Sequence, residues 1–139
     1  MPNSVRPVVY AAAIALLASC SDSTAPRNVV DARSLWRSQN ISSYSYVAER
    51  VCFCLGGSEP VTIQVVQGKV SSVIVVATGA QIPTGGWPTI DELFDEIIAN
   101  PPTTVQFNAA LGYPTRVERC CLADDSGSRF TASDLRIIA

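Results

Sequence analysis

The chain has 139 residues, 47% of them hydrophobic and 16% charged, and a net charge of −2. That is one domain's worth of sequence, globular in composition rather than disordered, and long enough to bury a core without metal or disulfide staples. It contains no histidine, which excludes His-based triads, imidazole acid–base catalysis and His-containing zinc sites. The basic residues, all Arg except Lys69, are scattered, so no electrostatic footprint for nucleic acid is present.

The N-terminus is organised as a secretory signal. Met1 to Pro7 carries one positive charge, Arg6, and Val8 to Leu17 is an uninterrupted apolar run. Ten helical residues rise only about 15 Å, half of a ~30 Å hydrocarbon core, so the run is not a spanning helix. Leu17-Ala18-Ser19-Cys20 follows, and it resembles the lipobox of bacterial lipoproteins. The resemblance implies lipid transfer to the Cys20 thiol and cleavage after Ser19, with residues 1–19 removed. Loss of Arg6 with that segment takes the net charge to −3. Acyl chains stabilise membrane attachment by about 0.8 kcal/mol per buried CH₂. Residues 20–30 then read as a lipidated cysteine and flexible tether, with Thr24, Ala25 and Pro26 in its polar part. Ten residues extend at most about 33–36 Å, so the folded domain stays near the bilayer. Ser21 rather than Asp after the lipidated residue favours the outer membrane over the inner.

The folded domain is expected over residues 31–139. Asp31 is the expected cap of a short helix over residues 32–38, with Leu35 and Trp36 inward. Tyr44 to Cys54 alternates as a strand, placing Tyr44, Tyr46, Ala48, Arg50, Cys52 and Cys54 on one face. Val61–Val66 and Lys69–Val76 flank Gln67-Gly68, the signature of a two-residue hairpin. In the expected register Val65 faces Val70 and Val61 faces Ile74. Thr78 to Pro88 is a loop. Thr89 and Glu92 form a capping box that opens a helix, whose apolar face is Ile90, Leu93, Phe94, Ile97 and Ile98. Asn100-Pro101-Pro102 stops it. Three further strands are expected over 104–108, 115–123 and 130–137. The fold class is therefore α+β: an antiparallel sheet of about six strands packed on one amphipathic helix, with a short N-terminal helix.

Several stretches together resemble the DUF6174 family of uncharacterised bacterial lipoproteins. They are Trp36-Arg37, Tyr44-Ser45-Tyr46, Cys52-Phe53-Cys54, Val61 to Ser72, Pro88 to Phe94, Leu111 to Thr115, and Ser133 to Arg136. They cover nearly all of the chain after Cys20. The resemblance implies a secreted or lipid-anchored single domain and carries no activity with it. Members of the family commonly have the Cys-x-Cys of the first strand without a later Cys-Cys, so Cys120-Cys121 is a departure.

Setting Cys20 aside leaves Cys52, Cys54, Cys120 and Cys121, an even set in an exported and therefore oxidising setting that favours disulfides. Four cysteines allow three connectivities. Two parallel cross-strand bridges are awkward, because Cys120 and Cys121 point to opposite faces of a regular strand. The family resemblance makes a local Cys52–Cys54 bridge the simpler pairing and leaves the partners of Cys120 and Cys121 open. The rival reading is a redox or metal site at Cys52 and Cys54. Cys-x-Cys lacks the Cys-x-x-Cys spacing, and the four positions do not match common structural zinc sites.

Asp91, Glu92, Asp95 and Glu96 form an acidic helix face, expected to be solvated and favoured by the helix dipole. Asp124 to Ser128 is too short for a calcium loop and reads as a hairpin turn. Gly85-Gly86 is no phosphate loop, since no Lys-Ser/Thr follows, and no cofactor motif appears elsewhere. Gly85, Gly86 and Trp87 form a candidate interaction loop, because Trp is enriched at interface hot spots. The functional expectation is a non-enzymatic envelope lipoprotein: a binding or accessory domain, held to the membrane through Cys20, that engages an envelope protein or component. The alternatives are a thiol redox or metal-binding module at Cys52 and Cys54, and an inhibitor-like module presenting the Gly85–Trp87 loop.

Overall fold

The computed structural model describes residues 27–52, 59–120 and 127–139. The signal segment, Cys20, Cys54, Cys121 and most of the expected turn at 124–128 lie outside the described residues. Within them the fold is α+β. Helix α1 (Val29–Ser38) precedes β1 (Tyr44–Cys52), β2 (Val61–Val66), β3 (Lys69–Val75) and β4 (Gln81–Ile82). Helix α2 (Ile90–Ala99) precedes β5 (Thr104–Phe107), β6 (Pro114–Arg119) and β7 (Ser128–Ile137). The seven strands form one antiparallel sheet, in the order β4-β3-β2-β1-β7-β6-β5. Each half of the chain is thus a helix followed by a meander. The meanders join where β1, the first strand of one, pairs with β7, the last of the other.

Helix α1 begins at Val29, two residues before the expected start of the domain. Its cap is Asn28 rather than Asp31. The Asn28 side chain accepts the Asp31 backbone N–H at 2.9 Å and donates back to the Asp31 carboxylate at 2.7 Å. Asp31 therefore works inside the first turn, where its charge also suits the helix dipole. Trp36 is buried, while Leu35 is only half-buried. The capping box of α2 is present as expected, with Thr89 Oγ1 accepting Glu92 N–H at 3.1 Å and Glu92 Oε2 accepting Thr89 N–H at 2.7 Å. Ile90, Leu93, Phe94 and Ile97 are buried, but Ile98 is 46% exposed and is not part of the inward face.

The hairpin turn forms at Gln67-Gly68, both residues at positive φ, as a two-residue turn matched to strand twist requires. Its register departs from expectation beyond the first pair. Val65 faces Val70, but Val61 faces Val75, and Ile74 is opposite Thr62. The register shifts between Gln64 and Val65, leaving one extra residue on β3. That shift carries Val73 and Val75 to the buried face and Ile74 to the outer one, where it is 37% exposed. Strand β4, two residues within the expected loop, pairs with Val73 and Ile74.

The core lies between one face of the sheet and the two helices. Trp36 meets Tyr44 edge-on at 5.3 Å and Tyr113 at 6.4 Å, while Phe94 stacks on Phe107 at 6.2 Å. Gly112, at φ +83°, lets its loop lie against α1: a Cβ there would stand 2.5 Å from the Ala32 carbonyl oxygen. No helix among the described residues is long and apolar enough to cross a membrane.

Candidate functional site

The inward residues of β1 organise the most distinctive surface of the domain. Tyr44, Tyr46 and Ala48 are buried on the helix face, and the strand period carries Arg50 and Cys52 to the same side. Three of these side chains hold the chain leading into α2. Tyr44 Oη accepts the Ile90 backbone N–H at 2.8 Å. The Tyr46 hydroxyl donates to the Pro88 carbonyl, and Arg50 donates to the Gly86 carbonyl at 2.6 Å. The segment from Gly86 to Ile90 is therefore laid along β1 in the opposite direction. Burial is the main cause that pushes both tyrosine hydroxyls well above their ordinary pKa, so they stay neutral donors and acceptors.

Beyond this ladder a cleft of about 500 Å³ opens between α2 and the sheet. Its floor is built on two cross-strand rows. Arg50, Phe130 and Val117 face one another across β1, β7 and β6, and Ser128 and Arg119 line it from the next row, which Cys52 continues beyond the lining. Glu92, Leu93 and Glu96 of α2 make one wall, and Gly86, Trp87 and Pro88 close one end. The Arg50 guanidinium sits over the Trp87 ring, 4.6 Å from its centroid. No carboxylate of the described residues lies within ion-pair distance of Arg50. Arg119, by contrast, meets Glu96 at 3.4 Å and donates to the Asn100 carbonyl. Arg129 lines the cleft from β7, but its position opposite Glu118 and Val51 turns its side chain to the outer face, where it lies 3.6 Å from Glu118.

The acidic helix face is solvated, with Glu92, Asp95 and Glu96 exposed, and each of its four carboxylates also has a partner. Asp91 accepts the Trp36 indole N–H at 3.3 Å, Glu92 completes the capping box, Asp95 pairs with Arg33, and Glu96 with Arg119. In the candidate interaction loop, Gly85 and Gly86 are exposed, while Trp87 is half-buried, packed on the main core and covered by Arg50.

Cys52 ends β1 and Cys120 follows β6. Only β7 separates their strands, because Ser128 is the neighbour of both Cys52 and Arg119. The Cys120 N–H donates to Thr103 Oγ1 at 2.9 Å. Among the described residues no group of three or more Cys, Asp or Glu could hold a metal ion.

The cleft was not visible in the sequence as a site. Its signal was there: Arg50 is a charged residue on the inward period of an otherwise buried strand, and such a residue requires a partner or a cavity.

One continuous antiparallel sheet, two helices on one face and a charged cleft at the open end define a small α+β domain with a preformed pocket. The family model of DUF6174, a family of unknown function, matches residues 28–125, and the chain belongs to that family. Comparison with curated proteins and with solved structures finds no match.

Proposed function

We propose that the protein is a bacterial envelope lipoprotein, anchored by lipid on Cys20, whose domain is a non-enzymatic binding module with the Arg50–Trp87 cleft as its ligand site. The observation that carries the reading is the Arg50 guanidinium held over Trp87, with no carboxylate partner among the described residues, inside a cleft of about 500 Å³. Small-molecule sites have this size and this character: mostly apolar walls with a few placed polar groups. The anchor is supported by the Arg6 head, the Val8–Leu17 run and Leu17-Ala18-Ser19-Cys20. Cys52 and Cys120 are read as members of structural disulfides, an assignment supported by the oxidising compartment that the proposed export implies and by their common end of the sheet. In this reading they brace the strand ends beneath the cleft.

The test is recovery of bound small molecules. Full-length protein extracted from membranes in mild detergent carries a ligand detectable by native mass spectrometry, and the Arg50→Ala, Trp87→Ala double variant loses it. Wild type and variant each at the mass of its own polypeptide, with nothing bound to either after exposure to envelope extract, contradicts the reading.

A further inference from the structure

Resting on the cleft as the binding site, we infer that its ligand is a short zwitterionic peptide, two or three residues long with free ends and an apolar side chain. The charge arrangement selects this class. Arg50 presents a guanidinium with one N–H engaged by the Gly86 carbonyl and its face on Trp87. The guanidinium has five N–H donors, so an edge stays available for a carboxylate, which it binds in fork geometry. Opposite, Glu92 and Glu96 lie one helical turn apart on the α2 wall. Glu92 uses Oε2 for the capping bond, and Glu96 is 59% exposed with a single 3.4 Å contact.

Of the five charged residues lining the cleft, Arg129 turns its side chain to the outer face, and the other four, Arg50, Arg119, Glu92 and Glu96, balance. A plain dicarboxylate meets the glutamate wall and a plain cation meets the two arginines, whereas a dipolar molecule matches both sides. The ground between them is apolar, built from Trp87, Leu93, Val117 and Phe130. The cleft of about 500 Å³ between Arg50 on the sheet and the glutamates on α2 has room for two or three residues and little more.

Isothermal titration of the full-length protein in detergent, with the tripeptide Ala-Phe-Ala, tests this. The free-ended peptide binds, and C-terminal amidation weakens it tenfold or more. Arg50→Gln weakens the free peptide to the level of the amidated one and removes the difference between them. N-terminal acetylation weakens binding at least threefold in wild type and has no effect in Glu96→Gln. Equal affinity for free and amidated peptide, or tighter binding of glutarate than of the peptide, overturns the inference. An uncharged naphthylamine dye separates the two levels. Dye uptake that Trp87→Ala abolishes, with no peptide binding, retains the cleft and overturns the peptide. Absence of both overturns the cleft as well.

Discussion

The hydroxyl of Tyr44 accepts the backbone N–H of Ile90, the first residue of α2, at 2.8 Å. An N–H at a helix start has no partner within the helix and must find one elsewhere. Here a residue 46 positions earlier supplies it from the buried face of the central strand. Tyr44→Phe removes the acceptor and leaves that N–H buried and unsatisfied. The expected loss is about 1–3 kcal/mol. Urea denaturation at neutral pH measures it, and a loss well under 0.5 kcal/mol would remove Tyr44 from the anchoring of α2.

Gly112 sets the distance between its loop and α1. Gly112→Ala meets both a positive φ and the Ala32 carbonyl at 2.5 Å, with Leu35 Cβ and Trp36 N each at 3.1 Å. The expected destabilisation is roughly 2 kcal/mol or more. Gly68→Ala is the control. It has the positive φ but nothing within 4 Å of the added Cβ, so only the backbone strain of about 1–2 kcal/mol remains. Thermal melts of the two variants should rank Gly112→Ala below Gly68→Ala.

The three buried tyrosines, Tyr44, Tyr46 and Tyr113, predict an alkaline limit. Their pKa values are raised in the fold above the ordinary 10.0, chiefly by burial. A raised folded-state pKa contributes stability that is complete below the unfolded value and is lost as pH climbs above it. Stability should therefore be flat below pH 10 and fall above it, by about 1.4 kcal/mol per pH unit for each tyrosine. Denaturation series between pH 9 and 12 check the slope. Tyrosinate absorbance for Tyr44 and Tyr46 should appear only together with unfolding. Tyr46→Phe should make the slope shallower by about 1.4 kcal/mol per pH unit.

In the proposed lipoprotein reading, membrane attachment rests on one atom, the Cys20 sulfur. Cys20→Ser should move the protein from the membrane pellet to the soluble fraction and abolish incorporation of an alkyne-labelled fatty acid. Unchanged fractionation with no label in the wild type would contradict the anchor.

Much of the local structure was legible because its causes are local. The Thr89–Glu92 box, the Gln67-Gly68 turn and the alternation of Tyr44, Tyr46 and Ala48 each state their conformation within a few residues. The departures have identifiable physics. Asn28 displaced Asp31 as the cap because the two side chains satisfy each other, a bond composition does not reveal. The β3 register moved because one extra residue is taken up beside Gln64 and Val65, which exchanges the faces of Ile74 and Val75. Ile98 has the right type for the inward face but falls at its margin. The cleft was illegible for a different reason. Its rows exist only because β1 pairs with β7, and the partners Arg50 and Phe130 are 80 positions apart. The proximity of Cys52 and Cys120 to the same end of the sheet has the same origin.

Binding at the cleft is the central claim, and backbone amide shifts measured residue by residue test it most directly. Titrating the isotopically labelled full-length protein with Ala-Phe-Ala should move the amides of Arg50, Trp87, Glu96, Arg119 and Phe130. Those of Arg116, Ser133 and Arg136, on the outer face of the sheet, should stay fixed. Shifts confined to the outer face, or none at saturating peptide, would contradict the account.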